Sequence, residues 1–145
     1  MPIELRRYDG GTGEVQVCSG RLTGDELLAI DRQRLGVEGA LRGLRYHVTD
    51  LTGVTELAVT PDEVRRIVAQ SVSLGERFPR AALAVVASEP LHYGMARVWM
   101  AHMERLRAPE WCTNVLSSWA EMEAWVAAEV ERLFGERPAF RPDPG

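Results

Sequence analysis

The chain has 145 residues, 46% of them hydrophobic and 26% charged, which fits one domain with a single core and excludes a chain disordered over most of its length. Its net charge of −4 argues against a protein that coats nucleic acid, because phosphate binding needs a surplus of cations. All 17 basic residues are Arg, so a phosphate loop ending in Lys, a Lys Schiff base and a Lys general base are excluded.

Targeting and redox signals point to a cytoplasmic protein. The charged start of the chain is not followed by an apolar run, and no segment approaches the roughly 18 apolar residues of a membrane span. We therefore expect no signal peptide and no membrane span. The two cysteines, Cys18 and Cys112, form no Cys-x-x-Cys pair, which predicts reduced, partly buried thiols and no zinc site. We expect no cofactor.

The first half of the chain reads as a hairpin followed by alternating helices and strands. Two short alternating segments, 3–8 and 14–19, flank a Gly-rich turn cluster and predict a β-hairpin. Thr23 and Glu26 have capping-box spacing and predict a helix that ends by Gly36 or Gly39. A strand is predicted over 44–51. Thr60 and Glu63 repeat the capping spacing, with Pro at the first helical position.

The second half continues the alternation. Residues 81–87 form an apolar run typical of a strand covered on both faces. A helix over 90–107, a strand over 113–116 and a helix capped at Ser118 follow. The sequence thus predicts one α/β domain over 1–134, with an open mixed sheet of about five strands (an N-terminal hairpin, then parallel strands) and four helices. The Pro- and Arg-rich segment 135–145 is predicted to be a mobile tail.

Signatures of catalysis are weak. His47, His92 and His102 have no metal-ligand spacing, so we interpret them as surface or packing residues and expect no metal site. No Gly-x-Ser-x-Gly nucleophile elbow occurs. Whether the protein is an enzyme stays open at this point, and the sequence favours a protein that is not one.

The predicted helix over 90–107 carries large adaptable side chains. Leu91, Met95, Trp99 and Met103 recur every four residues, and Val98 and Leu106 widen the apolar stripe. Met and Trp suit cores and binding surfaces alike. The stripe therefore fits core packing, a dimer seam or the wall of an apolar ligand pocket.

Three short motifs and the wider pattern of the sequence resemble a known family. The segment 50–55, Asp-Leu-Thr-Gly-Val-Thr, with the capped helix after it, resembles the core of STAS domains, the anti-sigma-factor antagonist domains also found on anion transporters. The wider pattern is similar to the SpoIIAA-like (STAS/SEC14-type) proteins over roughly 3–133, with Tyr-Gly-Met-Ala-Arg at 93–97 and Ala-Trp at 124–125. The resemblance implies a SpoIIAA-like fold and a non-enzymatic binding or regulatory role.

The resemblance also draws attention to Thr60. STAS antagonists are phosphorylated on a Ser at a helix start, within an Asp-Ser-x-Gly segment. Thr60 falls near that position and is the phospho-acceptor that the resemblance implies, but the neighbouring Asp and Gly are absent here. Partner switching by phosphorylation is therefore not carried over.

The functional hypothesis is a binding or regulatory module. Its ligand is either a small apolar or amphipathic, lipid-like molecule or a partner protein, and we expect a homodimer. Ligands of open parallel sheets gather at the carboxyl ends of strands, here the third and fourth. The predicted site there consists of Asp50, Thr52, Ser88, Tyr93, Arg97 and Trp99. The alternative is a small hydrolase-like enzyme with a polar site at the same edge.

Overall fold

A computed structural model describes residues 2–36, 41–75, 80–105 and 111–145, and within them one five-stranded sheet and four α-helices. The strands are β1 Ile3–Tyr8, β2 Gly13–Thr23, β3 Tyr46–Ala58, β4 Ala81–Val86 and β5 Trp111–Leu116, in that spatial order. The helices are α1 Gly24–Leu35, α2 Pro61–Gly75, α3 Pro90–Arg105 and α4 Trp119–Phe134. β1 is antiparallel to β2, and the other neighbours are parallel. The predicted α/β class, hairpin and mixed sheet are confirmed.

Helices cover both faces of this sheet. Side chains alternate along each strand, so Val15 and Val48 pack with Met122 and Val126 of α4. The alternate residues of β2 and β3, such as Cys18 and Leu51, point to the opposite face of the sheet, where α1, α2 and α3 lie. The interior strands β2 to β4 are therefore buried on both sides, and any polar side chain on them needs a buried partner.

The helix starts follow the predicted caps. The Thr23 side chain accepts from the Glu26 backbone N–H, and the Glu26 carboxylate accepts from the Thr23 N–H at 2.9 Å. Thr60 and Glu63 repeat this exchange at 3.1 and 2.9 Å. Two orphan N–H groups are satisfied at each helix start.

We expect Thr60→Ala to lower the free energy of unfolding by about 1 kcal/mol, because it removes the cap of α2. Thr60→Ser keeps the accepting oxygen and should leave stability close to that of the wild type. Urea unfolding of the three proteins measures both effects. Phosphate on Thr60 in protein purified from its own cell would contradict a role limited to capping.

β3 is longer than predicted. It continues to Ala58, whereas the sequence predicts its end near Leu51. Beyond Asp50 it no longer pairs with β4, but its residues from Gly53 to Ala58 pair with the second half of β2. This ladder keeps the strand extended through an Asp-Leu-Thr-Gly segment that resembles a turn by composition.

The segment after α4, predicted to be mobile, is bound to the β1–β2 turn. The Asp9 carboxylate accepts from the backbone N–H groups of Phe140 and Arg141, both at 3.1 Å. Tyr8 forms an antiparallel bridge with Pro142. The mobility of the segment stays a prediction from its composition, and these contacts are where the segment meets the start of the chain.

Candidate functional site

A cavity of about 130 Å³ lies between the sheet and the three helices on one face. Among the described residues, α2 approaches α1 and α3 more closely than it approaches any strand. Space therefore remains beneath α2. Most of the wall is apolar, with contributions from Leu27, Val64, Ile67, Leu83, Met95 and Trp99. The polar part of the wall is formed by Gln16, Asp31, Arg34, His47, Thr49 and Ser71.

A buried cluster of charged groups contributes to the wall of the cavity. Glu14 on β2 is fully buried, and His47 and Arg34 beside it are nearly so. The Glu14 carboxylate is 2.8 Å from His47 Nδ1 and 2.6 Å from Arg34 Nη2, and its other oxygen is 3.2 Å from Arg7 Nη2. Arg34 Nη1 also donates to Asp31 at 3.0 Å. Opposite charges thus surround each buried ion, which is the condition for keeping it ionised.

The two carboxylates of the cluster are affected differently by their surroundings. Burial acts to raise the pKa of Glu14, but the His47 hydrogen bond and the charges of His47, Arg34 and Arg7 outweigh it and hold the pKa at about 2. Burial raises the pKa of Asp31 and outweighs the opposing charge of Arg34. Glu14 is consequently ionised at neutral pH.

The ionised Glu14 determines how the proton of His47 is placed. A carboxylate only accepts hydrogen bonds, so in the neutral imidazole the proton lies on Nδ1, facing Glu14. Nε2 is then an acceptor, and its neighbour is the Thr49 hydroxyl at 3.3 Å. Thr49 therefore donates to His47, and both side chains line the cavity.

Two side-chain atoms, one in the charged cluster and one on β2 beside it, are buried without a hydrogen-bond or ion-pair partner among the described residues. They are Gln16 Oε1 and Arg34 Nε. Arg34 Nη2 and Glu14 Oε2 also lack hydrogen-bond geometry, but each has an ion-pair contact. An unsatisfied buried acceptor and donor are costly unless something pairs with them, and both residues line the cavity.

Comparisons with known proteins add a likeness of fold. No protein-family model matches the chain, and no curated protein matches it. A solved structure from Shewanella loihica PV-4, described as an uncharacterized protein from the DUF3478 family with a SpoIIAA-like fold, is 14% identical. The alignment covers 86% of this chain and 91% of that one, with a TM-score of 0.49. That description names the fold which the sequence resemblance predicted.

Asp50 and Thr52 of the predicted site lie in the middle of β3 and not at its end. The Asp50 carboxylate faces α4, where one oxygen accepts from Trp119 Nε1 at 3.0 Å and the other from the Thr52 hydroxyl at 2.7 Å. Neither residue lines the cavity. The one-residue alternation of a strand places Asp50 on the opposite face from His47 and Thr49.

The other four residues of the predicted site do not come together in one place. Ser88 is exposed before α3, and Arg97 is exposed on it. The Tyr93 hydroxyl donates to the Val115 carbonyl at 3.4 Å. Trp99 lines the cavity and is the one member of the predicted set that does so.

The predicted apolar stripe of α3 also splits. Met95 and Trp99 line the cavity and Met103 is buried, whereas Leu91 is 75% exposed and Val98 is 48% exposed. Residues spaced by four are rotated roughly 40° around the helix axis at each step, so a row with this spacing does not stay on the side of the helix that faces the sheet. Leu106 lies outside the described residues.

Sequence reasoning missed this polar set, in which Glu14, Gln16 and Arg34 were not singled out and His47 was interpreted as a surface or packing residue. One signal could have revealed it. Glu14 and Gln16 alternate with Val15 and Val17, and the strand that carries them leads directly into a helix and lies in the interior of the sheet, between β1 and β3. Such strands are buried on both faces, so the polar set must be buried too.

Metal and membrane signals are absent from the described ranges. No group of three or more His, Cys, Asp or Glu residues there could hold a metal ion. None of the helices in those ranges combines the length and apolarity that crossing a bilayer requires. Cys18 and Cys112 are free, and burial raises the pKa of the Cys18 thiol to about 12.

Proposed function

We propose that this protein binds a small amphipathic molecule in the cavity beneath α2. The observation that carries the proposal is an apolar cavity lined in part by Arg34 and Gln16, each of which has a buried atom without a hydrogen-bond partner, the donor Arg34 Nε and the acceptor Gln16 Oε1. Ligand sites commonly combine a mostly apolar wall with a few convergent polar groups. A ligand head that both accepts and donates hydrogen bonds suits a wall that contains these two residues.

The size of the cavity limits the ligand. At about 130 Å³ it compares with the roughly 150 Å³ engineered cavity that binds benzene. The apolar body of the ligand is therefore of benzene size. A long lipid chain would have to extend beyond the cavity.

The charges around the cavity favour a neutral head group. Arg34 and Arg7 are cations, and Glu14 and Asp31 provide the carboxylates that face them. A ligand carboxylate would add a buried charge with no free cationic partner, which is costly. A hydroxyl or amide head avoids this cost, so an amphipathic acid is the weaker candidate.

Three probes of similar size test the proposal. We expect phenol to bind most tightly, toluene more weakly because it lacks a polar head, and benzoate most weakly because it is charged. Shift mapping by NMR should place phenol against Trp99, Ile67 and Thr49. Equal binding of toluene and phenol would contradict the polar end of the site, and no shifts with any probe would contradict the cavity as a ligand site.

A matched pair of variants on α2 controls for stability. Ile67 lines the cavity, whereas Val72 on the same helix is 41% exposed. Ile67→Trp should fill the cavity and abolish phenol binding, and Val72→Trp should leave binding unchanged. The predicted homodimer and the partner-protein form of the binding hypothesis stay predictions, and the partner form gains support if no probe binds.

A further inference from the structure

We propose that Thr49, His47 and Glu14 form a proton relay that makes the Thr49 hydroxyl a nucleophile, so that the cavity hydrolyses small neutral esters. This inference rests on the proposed function, because the ester must first enter the same cavity. It goes beyond that function by assigning a reaction to the bound molecule.

The geometry of the relay is that of a nucleophile, a base and an orienting carboxylate. Thr49 Oγ1 is 3.3 Å from His47 Nε2, and His47 Nδ1 is 2.8 Å from Glu14 Oε1. A hydroxyl is weak as a nucleophile until a base within hydrogen-bond reach takes its proton. A third group that fixes the tautomer of the base completes the arrangement, and such sites are recognised by geometry and not by sequence order.

The sheet places these groups on one face. Glu14 pairs with His47, and Gln16 pairs with Thr49, in the parallel register of β2 and β3. His47 and Thr49 are two residues apart on one strand, so their side chains point to the same side. Both line the cavity, whereas Glu14 lies behind His47 and acts on it as a positioning residue.

The reaction is an acyl transfer in two steps. Thr49 Oγ1 forms a bond to the ester carbonyl carbon while its proton moves to His47 Nε2. The bond from that carbon to the alcohol oxygen then breaks, and His47 Nε2 gives its proton to the departing alcohol. In the second step water attacks the acyl-Thr49 carbon and loses a proton to His47, which returns it to Thr49 Oγ1 as the carboxylic acid leaves.

One N–H donor without a hydrogen-bond partner belongs to a residue of the cavity wall and can serve the oxygen that becomes negative. Arg34 lines the same cavity, and its Nε has no hydrogen-bond partner among the described residues. Donors aimed at the position where charge develops stabilise the tetrahedral intermediate in a low-dielectric site. Arg34 is therefore the candidate group for binding the carbonyl oxygen.

Phenyl acetate tests the relay, because it is the acetyl ester of the binding probe phenol. The chain has no Lys, so side-chain amines do not compete for the acetyl group. We expect phenol release together with an acetyl group on Thr49, detected by mass spectrometry of the quenched protein. Thr49→Val should remove the acetyl group and slow phenol release by about 100-fold or more. Thr49→Ser should keep both.

Two further measurements separate the relay from mere stability. Thr55→Val changes an exposed Thr of the same strand and should hydrolyse like the wild type. Nitrogen NMR of the wild-type protein should show the His47 proton on Nδ1. The opposite tautomer, or a Thr49→Val protein as active as the wild type, would overturn the relay.

The outcomes for binding and for catalysis are distinguishable. If phenol binds in the cavity but Thr49 is never acetylated, the relay fails and the binding function stands. If neither phenol nor toluene gives shifts in the cavity and Thr49 is not acetylated, the binding function and the relay that rests on it both fail.

Discussion

Replacing Glu14 with Ala should lower the free energy of unfolding at neutral pH by about 3–5 kcal/mol. Glu14 is fully buried, and its carboxylate is the anionic partner of both Arg34 and His47. Its removal leaves Arg34 buried with a single carboxylate, that of Asp31, beside it. Urea unfolding followed by tryptophan fluorescence measures this loss of stability. A variant that no longer folds at 25 °C would correspond to the upper end of the expected range.

Glu4→Ala provides the matched control. Glu4 lies on the neighbouring strand β1 and also pairs with an Arg, Arg6 at 3.1 Å, but its side chain is 62% exposed. Exposed ion pairs contribute little to stability, so this variant should unfold like the wild type. An equal loss in the two variants would show that the buried position of Glu14 has no special weight.

Acid should remove the contribution of Glu14 to stability. The pKa of Glu14 lies near 2 in the folded protein, against an ordinary value of 4.5, so the folded state binds this proton less readily than the unfolded state does. A tenfold difference in proton affinity corresponds to about 1.4 kcal/mol, which makes this contribution about 3 kcal/mol. It is present above pH 4.5 and is lost as the pH falls towards 2.

Comparison with Glu14→Gln isolates this effect from the other carboxylates. Asp31 contributes to the pH dependence of stability with the opposite sign. Burial raises its pKa, so the folded state binds a proton at Asp31 more readily than the unfolded state does. We expect the wild type to lose about 3 kcal/mol more than Glu14→Gln as the pH falls through this window. Parallel pH profiles of the two proteins would contradict the assignment.

The parts of the fold that depend on neighbours in sequence were predictable. The caps at Thr23 and Thr60 are exchanges over three residues, and the hairpin follows from alternation around a Gly-rich turn. The length of β3 was not predictable in this way. It depends on pairing with β2, more than thirty positions earlier in the chain, and nothing near Asp50 encodes that partner.

The candidate site was less predictable for a related reason. The rule that ligands gather at strand ends directed attention to Asp50 and Ser88, but here the cavity lies over the middle of the strands because α2 stands away from them. Trp99 was identified because its size and helical position suit a pocket wall. Glu14, Arg34 and His47 come from three different elements, and only the folded sheet shows that they meet.

The bound segment after α4 also bears on how this sheet ends. β1 is an edge strand, and its exposed N–H and C=O groups could pair with a strand of another molecule and start aggregation. The Asp9 N–H instead donates to the Arg141 carbonyl at 2.8 Å, and the Asp143 N–H donates to the Arg7 carbonyl at 2.9 Å. Pro142 between them has no N–H to offer a further strand. Edge-to-edge growth of the sheet is therefore blocked at this end of β1.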